Sequence, residues 1–77
     1  MKNILICDDE KDIVNALKVY LDNKDYSLFT AKNGMEALSL ARTMDIHLIL
    51  MDIMMPVMDG LTAMKEIRSF SNVPIIL

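Results

Sequence analysis

The fold is decided by the stretch Ile46-His47-Leu48-Ile49-Leu50-Met51-Asp52, an apolar run that ends on an aspartate. Pro56 and Gly60 follow the aspartate within eight residues and indicate a turn. A second apolar run, residues 3–7, ends in the same way on Asp8-Asp9-Glu10. Continuous apolar runs of this length are typical of strands that are buried on both faces of a parallel sheet. Because neighbouring parallel strands end at the same edge of a sheet, the two runs predict a cluster of carboxylates there.

This predicted cluster has a definite chemistry. Two unit charges about 4 Å apart repel each other by roughly 4 kcal/mol at an effective dielectric constant of 20. Protons or a hard cation must therefore offset the charge of Asp8, Asp9 and Asp52. Mg²⁺ accepts a few carboxylate oxygens and keeps several waters, which leaves room for a phosphate oxygen. The three residues thus predict an Mg²⁺ site and phosphoryl chemistry on an aspartate.

Strand and helix patterns alternate along the whole chain in the order βαβαβαβ. Apolar or alternating residues predict strands over residues 3–7, 26–31, 46–51 and 73–77. Helical spacing predicts helices over residues 10–23 and 60–70, and a capping box at Asn33 and Glu36 predicts the start of another. Short connections and right-handed crossovers join such units into a parallel α/β sheet with both faces covered.

The helices carry recognisable inward faces. Ile13, Leu17 and Leu21 recur at helical spacing in the first helix, which Asp8 or Asp9 is expected to cap. The inward residues predicted for the second helix are Ala37, Leu38, Ala41 and Met44. No helix follows the last strand and nothing pairs with its far edge, so the chain is expected to be truncated within its domain.

The composition excludes several classes of protein. A chain of 77 residues forms one domain at most, and its net charge of −3 offers no basic patch for nucleic acid. No apolar stretch reaches the roughly 20 residues that a membrane span needs, and the N-terminus lacks a secretory signal. One cysteine, Cys7, excludes an internal disulfide and is predicted to be a buried, inert thiol. We therefore expect a cytoplasmic protein with no direct membrane or nucleic-acid contact.

Four motifs stand in order along the chain: ILICDDE at 4–10, NGMEAL at 33–38, LILMDIMMPVMDG at 48–60 and VPIIL at 73–77. Together they resemble the receiver domain of bacterial two-component response regulators. The resemblance implies a flavodoxin-like (CheY-like) parallel sheet, with strand order 2-1-3-4 for the strands of this chain. It also implies that residues 1–77 are a receiver domain incomplete at the C-terminus, without the family's later hydroxyl residue, lysine and fifth strand.

The resemblance also implies roles for individual residues. Asp52 would be the phosphoacceptor and would take a phosphoryl group from the phosphohistidine of a sensor histidine kinase. Asp8, Asp9 and Asp52 would hold Mg²⁺, and the backbone carbonyl of Met54 would add a ligand. The Met54 side chain would flank the phosphoryl pocket. The domain would be a signalling switch, with at most a weak autophosphatase activity in the intact protein. Lys11, Lys18 and Lys24 are predicted to lie on the solvated face of the first helix. Because this face helps to contact the kinase in the family, a docking role for these lysines stays open.

Two other functions remain open from the sequence. The first is a phosphohydrolase with an aspartyl nucleophile, but haloacid-dehalogenase-like enzymes place an acid two residues after the nucleophile, where this chain has Met54. The second is an assembly fragment whose exposed fourth strand pairs with, or swaps into, another chain. Solution size and multiple turnover of a phosphomonoester would separate these functions from a signalling receiver.

Simpler structural roles compete at several residues. Asp52 could end a strand without further function, and Asp8 and Asp9 could do no more than start a helix. Asp59 and Gly60 are predicted to serve as a helix cap and a turn rather than as metal ligands. His47 is predicted to be a strand-end residue rather than a phosphohistidine. Packing, rather than a copper site, is the role predicted for Met51, Met54, Met55 and Met58.

Overall fold

The computed structural model describes residues 1–77 as four strands and three helices that alternate along the chain. The elements are β1 (Lys2–Cys7), α1 (Lys11–Tyr20), β2 (Tyr26–Ala31), α2 (Gly34–Thr43), β3 (Leu48–Met51), α3 (Gly60–Arg68) and β4 (Ile75–Ile76). The strands form one sheet in the order β2-β1-β3-β4, and every neighbouring pair is parallel. The predicted α/β class and the strand order 2-1-3-4 are confirmed.

One face of the sheet carries the main core. Leu5 and Ile49 are fully buried on this face, where α2 and α3 pack against the sheet and against each other. Ala37 of α2 and Ala63 and Ile67 of α3 have no exposed surface. Complete burial of each large aliphatic side chain contributes about 1.5–3 kcal/mol to folding. This face therefore fixes the carboxyl ends of β1 and β3 firmly in place.

The other face is covered less completely, by α1 alone. Ile4 and Ile6 of β1 point to this face and are buried, but no residue of α1 is. Leu17 and Leu21 are half-buried, as an inward face requires, whereas Ile13 is 44% exposed. The prediction of Ile13 as a core residue is wrong, because a single helix without a neighbour shields only the middle of its apolar stripe.

The boundaries of α1 differ from the predicted range of 10–23. The helix ends at Tyr20 because Asn23 starts a turn, in which its Oδ1 accepts a hydrogen bond from the Asp25 N–H at 2.8 Å. Glu10, not Asp8 or Asp9, occupies the N-cap position, and it makes no side-chain capping bond. Asp8 Oδ1 instead accepts the Glu10 N–H at 2.9 Å, one residue before the helix. The expectation that Asp8 or Asp9 caps α1 is therefore wrong.

The predicted range of β2 is confirmed, and several other boundaries shift by one or two residues. β1 begins one residue early at Lys2, β3 begins at Leu48 rather than at 46, and α3 ends at Arg68 rather than at 70. β4 comprises only Ile75–Ile76, because only two of its residues pair with β3. One of the two hydrogen bonds of the predicted capping box of α2 is present, because Asn33 Oδ1 accepts the Glu36 N–H at 2.9 Å. None of the three helices has the length and hydrophobicity that a membrane span requires.

Candidate functional site

The site lies at the carboxyl edge of the sheet, where β1 and β3 end together. Cys7 and Met51 are paired in the parallel register, so the next residues, Asp8 and Asp52, leave neighbouring strands side by side. The Asp52 N–H donates to the Cys7 carbonyl at 2.8 Å, which extends the ladder to Asp52 itself. One carboxylate oxygen from each of Asp8, Asp9 and Asp52 lies within 4.8 Å of the others. The structure therefore brings the three predicted acids together.

No lysine or arginine forms an ion pair with these acids. Asp8 and Asp52 are half-buried and Asp9 is exposed. The one salt bridge of the chain joins His47 to Asp45, with no lysine or arginine nitrogen within 4.0 Å of any of the three acids. All candidate ligand atoms are carboxylate oxygens, the hard ligands that Mg²⁺ prefers. The donor set fits Mg²⁺ in chemistry.

Met54 borders the same carboxylate through its backbone. Its N–H lies 3.4 Å from Asp52 Oδ1, a long contact, while its side chain is 79% exposed. The backbone of Met54 therefore follows closely on the acid cluster, and its carbonyl stays a predicted ligand. Met51 and Met55 are buried in the core and Met58 packs against it, so three of the four clustered methionines have the predicted packing role.

Gly60 holds the backbone of Asp52 through a close approach that the sequence did not reveal. A Cβ at position 60 would overlap the Asp52 carbonyl oxygen and would lie 2.9 Å from Met51 Cγ. The Gly60 N–H also donates to the Ile53 carbonyl at 2.8 Å. The start of α3 thus lies directly on the residue that carries the central carboxylate. The turn signal of Gly60 was visible in the sequence, but its contact with Asp52 depends on the fold.

Gly34 makes a second close approach, between α2 and the loop that follows β3. Its N–H donates to the Met58 carbonyl at 2.8 Å. A Cβ at position 34 would lie 2.5 Å from that carbonyl oxygen and 2.7 Å from Met58 Cγ. The first residue of α2 therefore fixes the far end of the loop over residues 52–59. Sequence reasoning placed Gly34 in the capping segment and missed this contact.

The same loop contains a strained residue, Val57, whose φ is 70°. The Met58 N–H donates to the Pro56 carbonyl at 2.7 Å, so Val57 is the centre of a γ-turn. A γ-turn with positive central φ is the rare form, and a β-branched residue in this region is an outlier. The strain lies in the loop that carries Met54 and connects the acid cluster with α3.

Val57→Gly should raise the free energy of unfolding by about 1 kcal/mol, because glycine adopts positive φ without a steric penalty. The gain is the relieved strain less the entropy of a more flexible unfolded chain. Urea denaturation measures the change. The control is Val19→Gly, at a 77% exposed helical position, which should destabilise the chain by about 0.3–0.5 kcal/mol, the difference between the helix propensities of valine and glycine. Destabilisation by both substitutions would contradict strain at Val57.

Asp59 caps α3, as predicted. Its Oδ1 accepts the Thr62 N–H at 2.7 Å. This backbone hydrogen bond, aided by the Thr62 side chain, holds the pKa of Asp59 below its ordinary value of 3.8. The side chain lies outside the acid cluster, so its chemistry is that of a helix cap.

The cap should give a specific pH dependence of stability. Because the folded pKa of Asp59 is lowered, its contribution is complete above pH 3.8 and disappears as the pH falls through the folded pKa. Asp59→Asn keeps a capping oxygen and removes the titration. We expect the melting temperature of the wild type relative to this variant to fall between pH 5 and pH 2. A difference that stays constant across that range would exclude the cap as its source.

Two further residues behave as the sequence predicts. Cys7 is 1% exposed, and burial raises the pKa of its thiol to about 12, which leaves almost no thiolate at neutral pH. His47 lies just before β3, at the opposite end of that strand from Asp52. Its Nδ1 accepts the Asn3 N–H at 2.8 Å and its Nε2 lies 3.4 Å from Asp45 Oδ2. His47 is thus a strand-end residue that joins β1 to the residues before β3.

Comparison with curated proteins identifies relatives that match nearly the whole chain. "Probable transcriptional regulator ycf27" of Cyanidium caldarium is 45% identical over 75 residues, which are 97% of this chain and 30% of that protein. "Transcriptional regulatory protein SrrA" of Staphylococcus aureus is 40% identical over 74 residues, 96% of this chain and 31% of SrrA. The chain thus spans about a third of the length of these relatives.

Solved structures of response regulators have the same fold as this chain. The response regulator TrrA of Thermotoga maritima, in complex with Mg²⁺ and beryllofluoride, superposes with a TM-score of 0.92 at 41% identity. The match covers all of this chain and 68% of TrrA. TrrA bound to the histidine kinase ThkA superposes with a TM-score of 0.90, again at 41% identity, over the whole chain and 67% of TrrA.

The family profile of the response regulator receiver domain matches residues 4–77. This range contains the three acids, the γ-turn loop and all three helices. The carboxylate cluster, the parallel sheet and the similarity to TrrA agree with that match. The chain therefore belongs to the response regulator receiver domain family.

Proposed function

We propose that Asp52 accepts a phosphoryl group from a histidine kinase in a reaction that depends on Mg²⁺. The observation that carries the proposal is the set of three carboxylates within 4.8 Å, without any cationic side chain of the protein among them. A cluster of hard oxygen ligands without an ion-pair partner favours a divalent cation, and a bound cation favours an incoming phosphate. The kinase complex of TrrA supports a histidine kinase as the donor.

The transfer is a displacement at phosphorus. A carboxylate oxygen of Asp52 forms a bond to the phosphorus while the bond to the donor imidazole nitrogen breaks. The bonding electrons stay on that nitrogen, which then takes up a proton, and the product is an aspartyl phosphate. Asp8, Asp9 and the carbonyl of Met54 would hold Mg²⁺ beside Asp52, and the bound ion would offset charge on the phosphoryl oxygens.

The fold supports this role by fixing the nucleophile. The hydrogen bond from the Asp52 N–H to Cys7 and the close contact of Gly60 with its carbonyl fix the backbone on two sides. The half-buried side chain keeps one side open for a donor. A fixed nucleophile loses little entropy in the transition state, which lowers the barrier of transfer.

The proposed phosphoryl transfer belongs to the receiver domain and not to the whole regulators that the chain resembles. We propose that residues 1–77 are the N-terminal part of a receiver domain, since the match covers 68% of TrrA. Signalling in the cytoplasm, and a switch in the intact protein, are parts of the same proposal. Multiple turnover, as in a phosphohydrolase, would need a general acid, and the residue two positions after Asp52 is Met54.

Intact mass spectrometry after incubation with acetyl phosphate tests the proposal. We expect a single phosphoryl adduct in the presence of Mg²⁺ and none when EDTA replaces it. Hydroxylamine should release the adduct, because it cleaves acyl phosphates. The proposal fails if no adduct forms, or if the adduct forms equally well without a divalent cation.

We also propose that the edge of the sheet at β4 pairs with a second copy of the chain. β4 has a partner only on the β3 side; Ile76 of β4 is 58% exposed, and Leu77, the next residue, is 51% exposed. An apolar strand with an unpaired edge is a template for strand pairing. Sedimentation velocity should show association that increases with concentration. Ile76→Lys should shift the species to monomer, since a lysine on an edge opposes pairing. A concentration-independent monomer would rule this association out.

A further inference from the structure

A polar groove lies beside the acid cluster, between α1 and β2. Its volume is about 310 Å³. Three lysines line it together with the amide of Asn15 and the hydroxyl of Thr30. The lysines are Lys11, Lys18 and Lys32, and Asp8 and Asp9 form the end of the groove next to the candidate metal site. The groove is distinct from the acid cluster but shares a wall with it.

The lysines of this groove are not tied up in ion pairs within the chain. None of the three lysines forms a salt bridge, and none of their ammonium groups has a hydrogen-bond acceptor. Three lysines and two aspartates line the groove, so its formal charge is positive while the chain as a whole carries a net charge of −3. This positive charge attracts an anionic ligand and accelerates its association.

The spacing of the lysines restricts the kind of anion. Lys11 and Lys18 lie two helical turns apart, about 10 Å along α1 at a rise of 1.5 Å per residue. A single phosphate is too small to bridge that distance. In an extended peptide, side chains three residues apart are separated by about 10 Å, at 3.2–3.4 Å per residue. No aromatic side chain lines the groove, so a nucleobase would have no surface for stacking.

We propose that this groove binds an extended acidic peptide segment of a protein partner. One carboxylate lies against Lys11 and Lys32, and a second, three residues away, lies against Lys18. Asn15 and Thr30, which stand between these ends, offer hydrogen bonds to the peptide backbone. Asp8 and Asp9 repel the ligand's acids at one end, so the segment stops short of the metal site. The groove thereby recruits a partner without occupying the acceptor.

Fluorescence anisotropy with a labelled peptide tests the proposal. The probe is an octapeptide of glycine and serine with two glutamates three residues apart, and its comparison peptide has glutamine at both positions. We expect the glutamate peptide to bind the chain about tenfold more tightly than the glutamine peptide at low salt. Lys18→Glu should weaken binding by a similar factor. The matched control is Lys65→Glu, another exposed lysine in the last turn of a helix, which should change binding by less than about twofold.

Several results would overturn the proposal. The absence of binding by the wild-type chain, or equal losses in both lysine variants, would show that no specific acidic-peptide site exists. Tighter binding of inorganic tripolyphosphate, with the same dependence on Lys18, would assign the groove to small anions instead. Far-UV circular dichroism of each variant shows that it is folded. Because Asp52→Asn leaves the groove intact, it should bind the peptide normally, which separates this test from that of phosphoryl transfer.

Discussion

Asp52→Asn should abolish the phosphoryl adduct that acetyl phosphate forms in the presence of Mg²⁺. Asparagine preserves the size and shape of the side chain but lacks the anionic oxygen that attacks phosphorus. Asp8 and Asp9 remain as candidate metal ligands in this variant, yet neither is predicted to replace Asp52 as nucleophile. Intact mass spectrometry of the wild type and the variant, under identical conditions, measures the loss.

The matched control for this experiment is Asp59→Asn. It makes the same chemical change at an acid that caps α3 and lies outside the cluster, so labelling should stay at the wild-type level. Asp52→Asn should also have a higher melting temperature than the wild type without Mg²⁺, because it removes repulsion among three neighbouring carboxylates. Persistent labelling of folded Asp52→Asn would disprove the assignment of the acceptor.

Gly60→Ala should lower the free energy of unfolding by about 2–4 kcal/mol, a large effect for a single methyl group. The added Cβ would overlap the carbonyl oxygen of Asp52, and a backbone atom cannot move aside as a flexible side chain can. A domain of 77 residues has a total stability on the order of 4–12 kcal/mol. Urea denaturation, followed by circular dichroism, measures the change.

Leu61→Ala is the control for Gly60→Ala at the next position of the same helix. Leu61 is 43% exposed, so its truncation should cost less than about 1 kcal/mol. Where Gly60→Ala remains folded, its phosphoryl labelling should be slower, since the displaced α3 shifts the backbone of Asp52. Equal stabilities of Gly60→Ala and the wild type would show that the two elements approach less closely than described.

Local sequence signals were sufficient for the elements and the acid cluster. The apolar runs that end on Asp8 and Asp52 predicted neighbouring parallel strands. A strand that is buried on both faces is apolar at nearly every position, and this pattern is visible in the sequence of the strand alone. The caps at Asn33 and Asp59 were visible for a similar reason, since each acts on an amide three residues away. These features depend on neighbours along the chain.

Features that depend on distant neighbours were missed. The contacts of Gly34 with Met58 and of Gly60 with Asp52 arise only when separate elements pack. Val57 has no local preference for positive φ, so its conformation is imposed by the bonds on either side of it. The exposure of Ile13 likewise follows from the number of helices that share its face of the sheet, which helical spacing does not encode.

The slight burial of α1 has a consequence for how such domains diverge. Substitutions at exposed helical positions usually change stability by no more than about 0.5 kcal/mol, so the surface of α1 tolerates new residues at little cost to folding. The acids, in contrast, are held by a ladder and by glycines that accept almost no replacement. After gene duplication, substitutions on α1 would therefore change the binding partner while the acid cluster stays the same. Each copy would then respond to its own partner and not to that of the other copy.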